Sequence, residues 1–143
     1  MRLILHVLAL IGAALALCHG AAAGETNIPQ KVNEPTAQRL AAEAVCGGHK
    51  YLKFFEYDGN VSSKFSPPFL VFQGASKPPA EGSFGFFAVN PWTGDVWNLW
   101  GCHRLSTLAL RKSQATIRRR FSREELKQYS RLRRLKPTCT VED

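Results

Sequence analysis

The sequence predicts an α+β fold: an N-terminal helix packed on an antiparallel meander, followed by a cationic C-terminal helical segment. Three observations carry this expectation. Phe84 to Cys102, FGFFAVNPWTGDVWNLWGC, holds all three tryptophans of the chain and reads as two apolar strands around a turn. Ala37, Leu40, Ala41, Ala44 and Val45 recur at i, i+3, i+4, i+7 and i+8, one apolar helix face. Leu126, Tyr129, Leu132 and Leu135 form a second such stripe, set among arginines and lysines.

The start of the 143-residue chain is expected to lie outside this fold. Arg2 precedes an apolar run from Leu3 to Leu17 and then small residues to Gly24. The run is short for a membrane span of about 20 residues, and Ala21-Ala22-Ala23 offers an A-x-A-like cleavage site. Residues 1–23 therefore read as a secretory signal peptide, with a periplasmic or secreted product. Acylation at Cys18 is the rival route, although Leu17 stands where a lipobox calls for a small residue. The rest divides by charge. Residues 24–103, read as a small α+β domain, carry six Lys/Arg against seven Asp/Glu; within 104–143, read as a basic and partly helical segment, Arg104 to Lys136 carry twelve Lys/Arg against Glu124 and Glu125.

Residues 24–33 read as an extended lead-in. Pro35 suits the first turn of the helix and Gly47-Gly48 stops it, with Gln38, Arg39 and Glu43 turned outward. Its alanine-rich face allows close approach to a sheet. Lys50 to Tyr57 alternates as a strand, Asp58-Gly59-Asn60 marks a turn, and Phe69 to Gln73 reads as a short strand before a loop over 74–82. In the hairpin, Phe84, Phe86, Phe87 and Val89 face Val96, Trp97, Leu99 and Trp100. Pro91 fixes one turn dihedral, and Gly94 can take the positive φ that closes the reversal. Bulky groups on both faces imply that one side meets the helix and the other a second cover, such as a partner. Residues 104–120 suit a helix or a strand equally. After them Ser122 and Glu125 form a capping box, Phe121 and Leu126 a hydrophobic staple, and Pro137 forbids continuation.

A helix followed by an aromatic meander with the turn V-N-P-W-T-G-D-V, Val89 to Val96, resembles PepSY and cystatin-like helix-on-sheet units over about Pro35 to Trp100. The resemblance implies a binding or inhibitory module and brings no catalytic residues with it.

Chemistry-bearing residues are sparse. Cleavage of the signal leaves Cys46, Cys102 and Cys139, and an oxidising compartment favours one disulfide. A helix lying on the hairpin would bring Cys46 to Cys102, the expected pair. Cys46, His49, Cys102 and His103 offer the ligand types of a zinc or copper site or a small enzyme, the alternative function. Adjacent Cys-His is a poor chelating pair, however, and neighbours on a strand point to opposite faces, so His103 is badly placed as base for Cys102. No carboxylate pair, phosphate loop or G-x-S-x-G elbow is present, so no metal, cofactor or catalytic residue is assigned. The expectation is a non-enzymatic binding or inhibitor-like accessory protein. Trp92, at the turn tip, is the predicted anchor for a protein or envelope ligand, while Trp97 and Trp100 read as core. Arg118, Arg119, Arg120, Arg131, Arg133 and Arg134, with the leucine stripe, predict contact with anionic lipid or lipopolysaccharide. The bland alternative is that this face folds onto its own domain. Nucleic acid is not favoured, because the tail has no aromatic interleaving.

Overall fold

The computed structural model describes residues 27–47, 49–62, 64, 68–76 and 82–139. The expected signal peptide, Cys18 and the side chain of His49 lie outside the described residues. The elements are α1 (Glu34–Cys46), a 3-10 helix (His49–Phe54), β1 (Phe55–Tyr57), α2 (Gly59–Ser62), β2 (Leu70–Ala75), β3 (Ser83–Val89), β4 (Val96–Asn98), β5 (His103–Arg104), α3 (Leu108–Arg118) and α4 (Arg123–Arg134). The five strands form one antiparallel meander in the order β1-β2-β3-β4-β5. The α+β expectation of a helix on a meander, followed by C-terminal helices, is met.

Asn33 caps α1 by accepting from the Thr36 amide at 3.1 Å, and Gly47 ends it at φ 73. The side chains Ala37, Leu40, Ala41 and Ala44 are buried against the sheet. Strand residues then alternate with period two. Phe72, Phe87, Val89 and Val96 join the core under α1, whereas Val71, Ala88 and Trp97 face the other way. Val61 of α2 and Leu135, beyond α4, pack on that second side, so the chain itself supplies cover there.

Two expectations are corrected, one on residues 50–57 and one on Glu43. Lys50–Tyr57 is a strand only over β1, because Gln38 on α1 donates to the carbonyls of Leu52 (3.2 Å) and Phe55 (2.7 Å) and holds the preceding turn coiled beneath the helix. Glu43 is buried rather than outward, since Thr107, the N-cap of α3, donates to its carbonyl at 2.8 Å and brings α3 alongside. Leu110, Ile117, Phe121 and Leu132, from the C-terminal helices and the turn between them, cluster with α1 and the sheet. The ambiguous residues 104–120 are mostly helix, capped when the Thr107 hydroxyl accepts from the Leu110 amide.

The disulfide is also corrected. It joins Cys102 to Cys139, with Cα atoms 5.6 Å apart, and not to Cys46. Cys46 packs against the core on the α1 side. The chain leaving α4 instead runs beside the β4–β5 end of the sheet, where Arg104 donates to the Arg133 carbonyl at 2.6 Å and Leu135 joins Trp97 and Leu99. That path delivers Cys139 to Cys102.

Candidate functional site

The turn between β3 and β4 is the centre from which the site is built, and it is buried. The Asn90 side chain accepts from the amides of Trp92 (2.9 Å) and Thr93 (3.1 Å) and donates to the Leu132 carbonyl of α4 at 3.0 Å. Gly94 has φ 71, and a Cβ there would stand 2.7 Å from Ile117 Cδ1 and 3.0 Å from Leu40 Cδ1, so only glycine lets α3 and α1 close on the turn. The lead-in crosses the turn as well: the amides of Lys31 and Val32 donate to the Pro91 carbonyl at 3.0 and 2.9 Å.

These contacts reassign the tryptophans. Trp92 is 5% exposed and its indole N–H donates to the Ile28 carbonyl at 2.7 Å, so it is a core residue and not an interface anchor. Trp97 is buried as expected, with the Arg104 guanidinium 5.1 Å from its ring centre. Trp100, expected in the core, is 50% exposed in the turn before β5.

Asp95 closes the turn and organises the arginines. Its buried carboxylate accepts from Thr93 Oγ1 (2.8 Å), Arg133 Nη2 (3.2 Å), Arg133 Nε (3.3 Å) and, more weakly, Gln114 Nε2 (3.4 Å), with Arg104 Nη1 3.7 Å away. The hydrogen bonding that Arg133 donates to Asp95 raises the pKa of Arg133, outweighing its partial burial. Two guanidiniums around one carboxylate leave a local positive excess. Arg133, one of the predicted partner-binding residues, thus also clamps α4 to the turn.

Beside this clamp α3 and α4 diverge into a cleft of about 700 Å³. Arg111, Gln114, Ala115, Arg118 and Arg119 line it from α3 and the turn that follows; Phe121, Leu126, Tyr129 and Arg133 line it from the α4 side. Tyr129 stands edge-on to Phe121 at 5.1 Å between ring centres, and the Arg118 guanidinium lies 5.3 Å over the Tyr129 ring. Burial, then the negative charge of Asp95, pushes the Tyr129 phenol above its ordinary pKa of 10.0, so it is a neutral donor at physiological pH. No carboxylate is among the lining residues.

Of the predicted basic residues, Arg118, Arg119 and Arg133 meet at this cleft, while Arg120, in the turn after α3, and Arg131 and Arg134, on α4, are exposed and do not line it. The leucine stripe of α4 is largely committed to the fold: Leu132 is fully buried, and Tyr129 and Leu135 pack against the core. It is therefore not an open apolar face for insertion among acyl chains. Arg111, Gln114, Phe121 and Tyr129 were missed as a set. Their sequence signal is the i, i+4, i+7 spacing of Arg111, Ala115 and Arg118, legible only once residues 108–118 are known to be helical. The alternative metal site loses Cys102 to the disulfide, and no group of three or more His, Cys, Asp or Glu among the described residues is placed to hold an ion.

No known protein family matches the sequence, and no curated protein matches it. Among solved structures, the chain is similar to one in the structure of a type VI secretion system effector-immunity complex from Pseudomonas protegens. The two share 21% identity with a TM-score of 0.47, over 71% of this chain and 88% of the other.

Proposed function

We propose that this chain is an exported binding module that acts without catalysis and captures an acidic protein through the arginine-lined cleft between α3 and α4. The observation that carries this reading is a concave site with four arginines, an apolar floor and no lining carboxylate. Guanidinium groups present a rigid fork that pairs with carboxylates bidentately, and an apolar floor lowers the local dielectric in which those pairs form. Tyrosine and arginine together are the side chains that anchor protein interfaces. The non-catalytic reading is supported by the state of the reactive groups: the Cys102 sulfur is in a disulfide, and the Asp95 oxygens already accept from Thr93, Gln114 and Arg133. The disulfide itself fits an oxidising compartment. A protein is favoured over a lipid surface because the apolar stripe of α4 is occupied by its own core.

The test is site-specific photo-cross-linking from position 115, on the cleft wall, in the cell of origin, with position 56 on the exposed side of β1 as control. The expected result is a protein adduct whose cross-linked peptide is acidic, absent from the control and lost in Arg118→Glu. A lipid adduct alone, or the same protein captured from both positions, overturns the proposal.

A further inference from the structure

Resting on the reading above, we infer that the cleft recognises an acidic peptide segment built around one bulky apolar side chain, with Arg118 and Arg111 taking its carboxylates and Leu126 and Ala115 taking the anchor. The four arginines are not equivalent: Arg119, in the turn after α3, already donates to Thr116 Oγ1 at 3.1 Å. Arg133 is already committed to Asp95 by two hydrogen bonds, so it contributes field but few donors. Arg118 has only the Tyr129 ring as a described partner, and it makes no ion pair among the described residues. Arg111 gives one N–H to Ser106 at 3.1 Å and keeps the rest of its fork. Among the described residues, therefore, no carboxylate pairs with Arg118 or Arg111, and both line the same cleft.

The floor between them supplies the second requirement. Leu126, at the hydrophobic-staple position, is 39% exposed although the rest of its stripe is packed away. Ala115 faces it across the cleft and is exposed as well. A cleft of about 700 Å³ lies within the usual size range of ligand sites. A purely charged ligand would leave this apolar area wet, and a purely apolar one would strand two guanidiniums. The complement is a segment that alternates carboxylates with a leucine-sized or aromatic group.

Fluorescence anisotropy with the full-length secreted product and two labelled 12-residue peptides tests this. Both peptides carry six glutamates; one has leucine at its centre and the other serine, with serine elsewhere. The leucine peptide is expected to bind about tenfold more tightly, the gain from burying part of one apolar side chain. Leu126→Ser should remove that gain while leaving the serine peptide unchanged, and Arg118→Gln should weaken both peptides. Near-UV circular dichroism of the two variants, matched to the parent, verifies that the fold is retained. Equal affinity for the two peptides, or a preference that survives Leu126→Ser, overturns the apolar-anchor inference and leaves the acidic-partner reading standing. Binding of neither peptide at low salt overturns both.

Discussion

Trp92 and Trp100 exchange the roles that their positions in the sequence indicated, and the exchange sets what each substitution does. Trp92 sits at a turn, yet it is enclosed because Ile28, more than sixty residues earlier, accepts its indole N–H and the lead-in lies across it. Trp92→Ala removes a large buried aromatic and orphans the Ile28 carbonyl, so it should destabilise by about 3–5 kcal/mol, the usual range for such truncations. Trp100 is half exposed, and its ring contributes mainly by lying over Gly85, where an added Cβ would come 3.7 Å from it. Trp100→Ala should cost about 1 kcal/mol or less. Urea unfolding of the two variants checks the pair; a smaller loss for Trp92 than for Trp100 would contradict the burial assignment.

At the start of α4 three charged and polar groups join segments far apart in the chain. Ser122 and Glu125 complete the capping box that their spacing indicates, with the Ser122 amide donating to Glu125 Oε2 at 2.7 Å and the Glu125 amide to Ser122 Oγ at 3.2 Å. The other carboxylate oxygen of Glu125 accepts from Lys31 Nζ at 2.7 Å, a contact that ties the lead-in to the helix and that no local pattern discloses. The Lys31 hydrogen bond first, and the Ser122 amide second, hold the Glu125 carboxyl below the ordinary value of 4.5. A depressed carboxyl favours the folded state above its unfolded pKa, and that contribution fades as pH falls through the folded value. The α4 cap should therefore weaken in acid, below about pH 4.5, and be insensitive to pH near neutrality. Carboxyl titration by NMR should find Glu125 below its ordinary range and moved upward in Lys31→Ala. An unshifted Glu125 in the parent protein would remove the link. Ser122→Ala, which breaks the cap itself, should cost about 1 kcal/mol in thermal unfolding.

What was legible in the sequence follows the range of the forces involved. Helix α1, the β3–β4 hairpin and the α4 cap rest on periodicity and turn chemistry within a dozen residues, and all three are present. The misassigned residues depend on segments distant in the chain: the lead-in crossing the turn hides Trp92, and the path of the chain after α4 chooses the partner of Cys102. The cleft was partly legible as a cluster of arginines, but not as a concave site, because its walls come from two helices whose separation no periodicity encodes. The Cys102–Cys139 disulfide is the covalent form of this long-range closure, spanning 37 residues that include α3 and α4. In the loop-entropy account a cross-link of that span contributes about 4 kcal/mol by restricting the unfolded chain, comparable to a large fraction of a small domain's net stability. Cys139→Ser should therefore lower unfolding free energy by about that amount, and also loosen the segment that brings Leu135 onto Trp97 and Leu99. Reductant should bring the parent protein down to the level of the variant and leave the variant unmoved. Cys46→Ser should retain the full response to reductant, since Cys46 takes no part in this bond. Were the reductant response to vanish in Cys46→Ser instead, the α1-to-hairpin bridge would be the true one, and the C-terminal helices would have to be held on the sheet by the Asp95–Arg133 clamp and apolar packing alone.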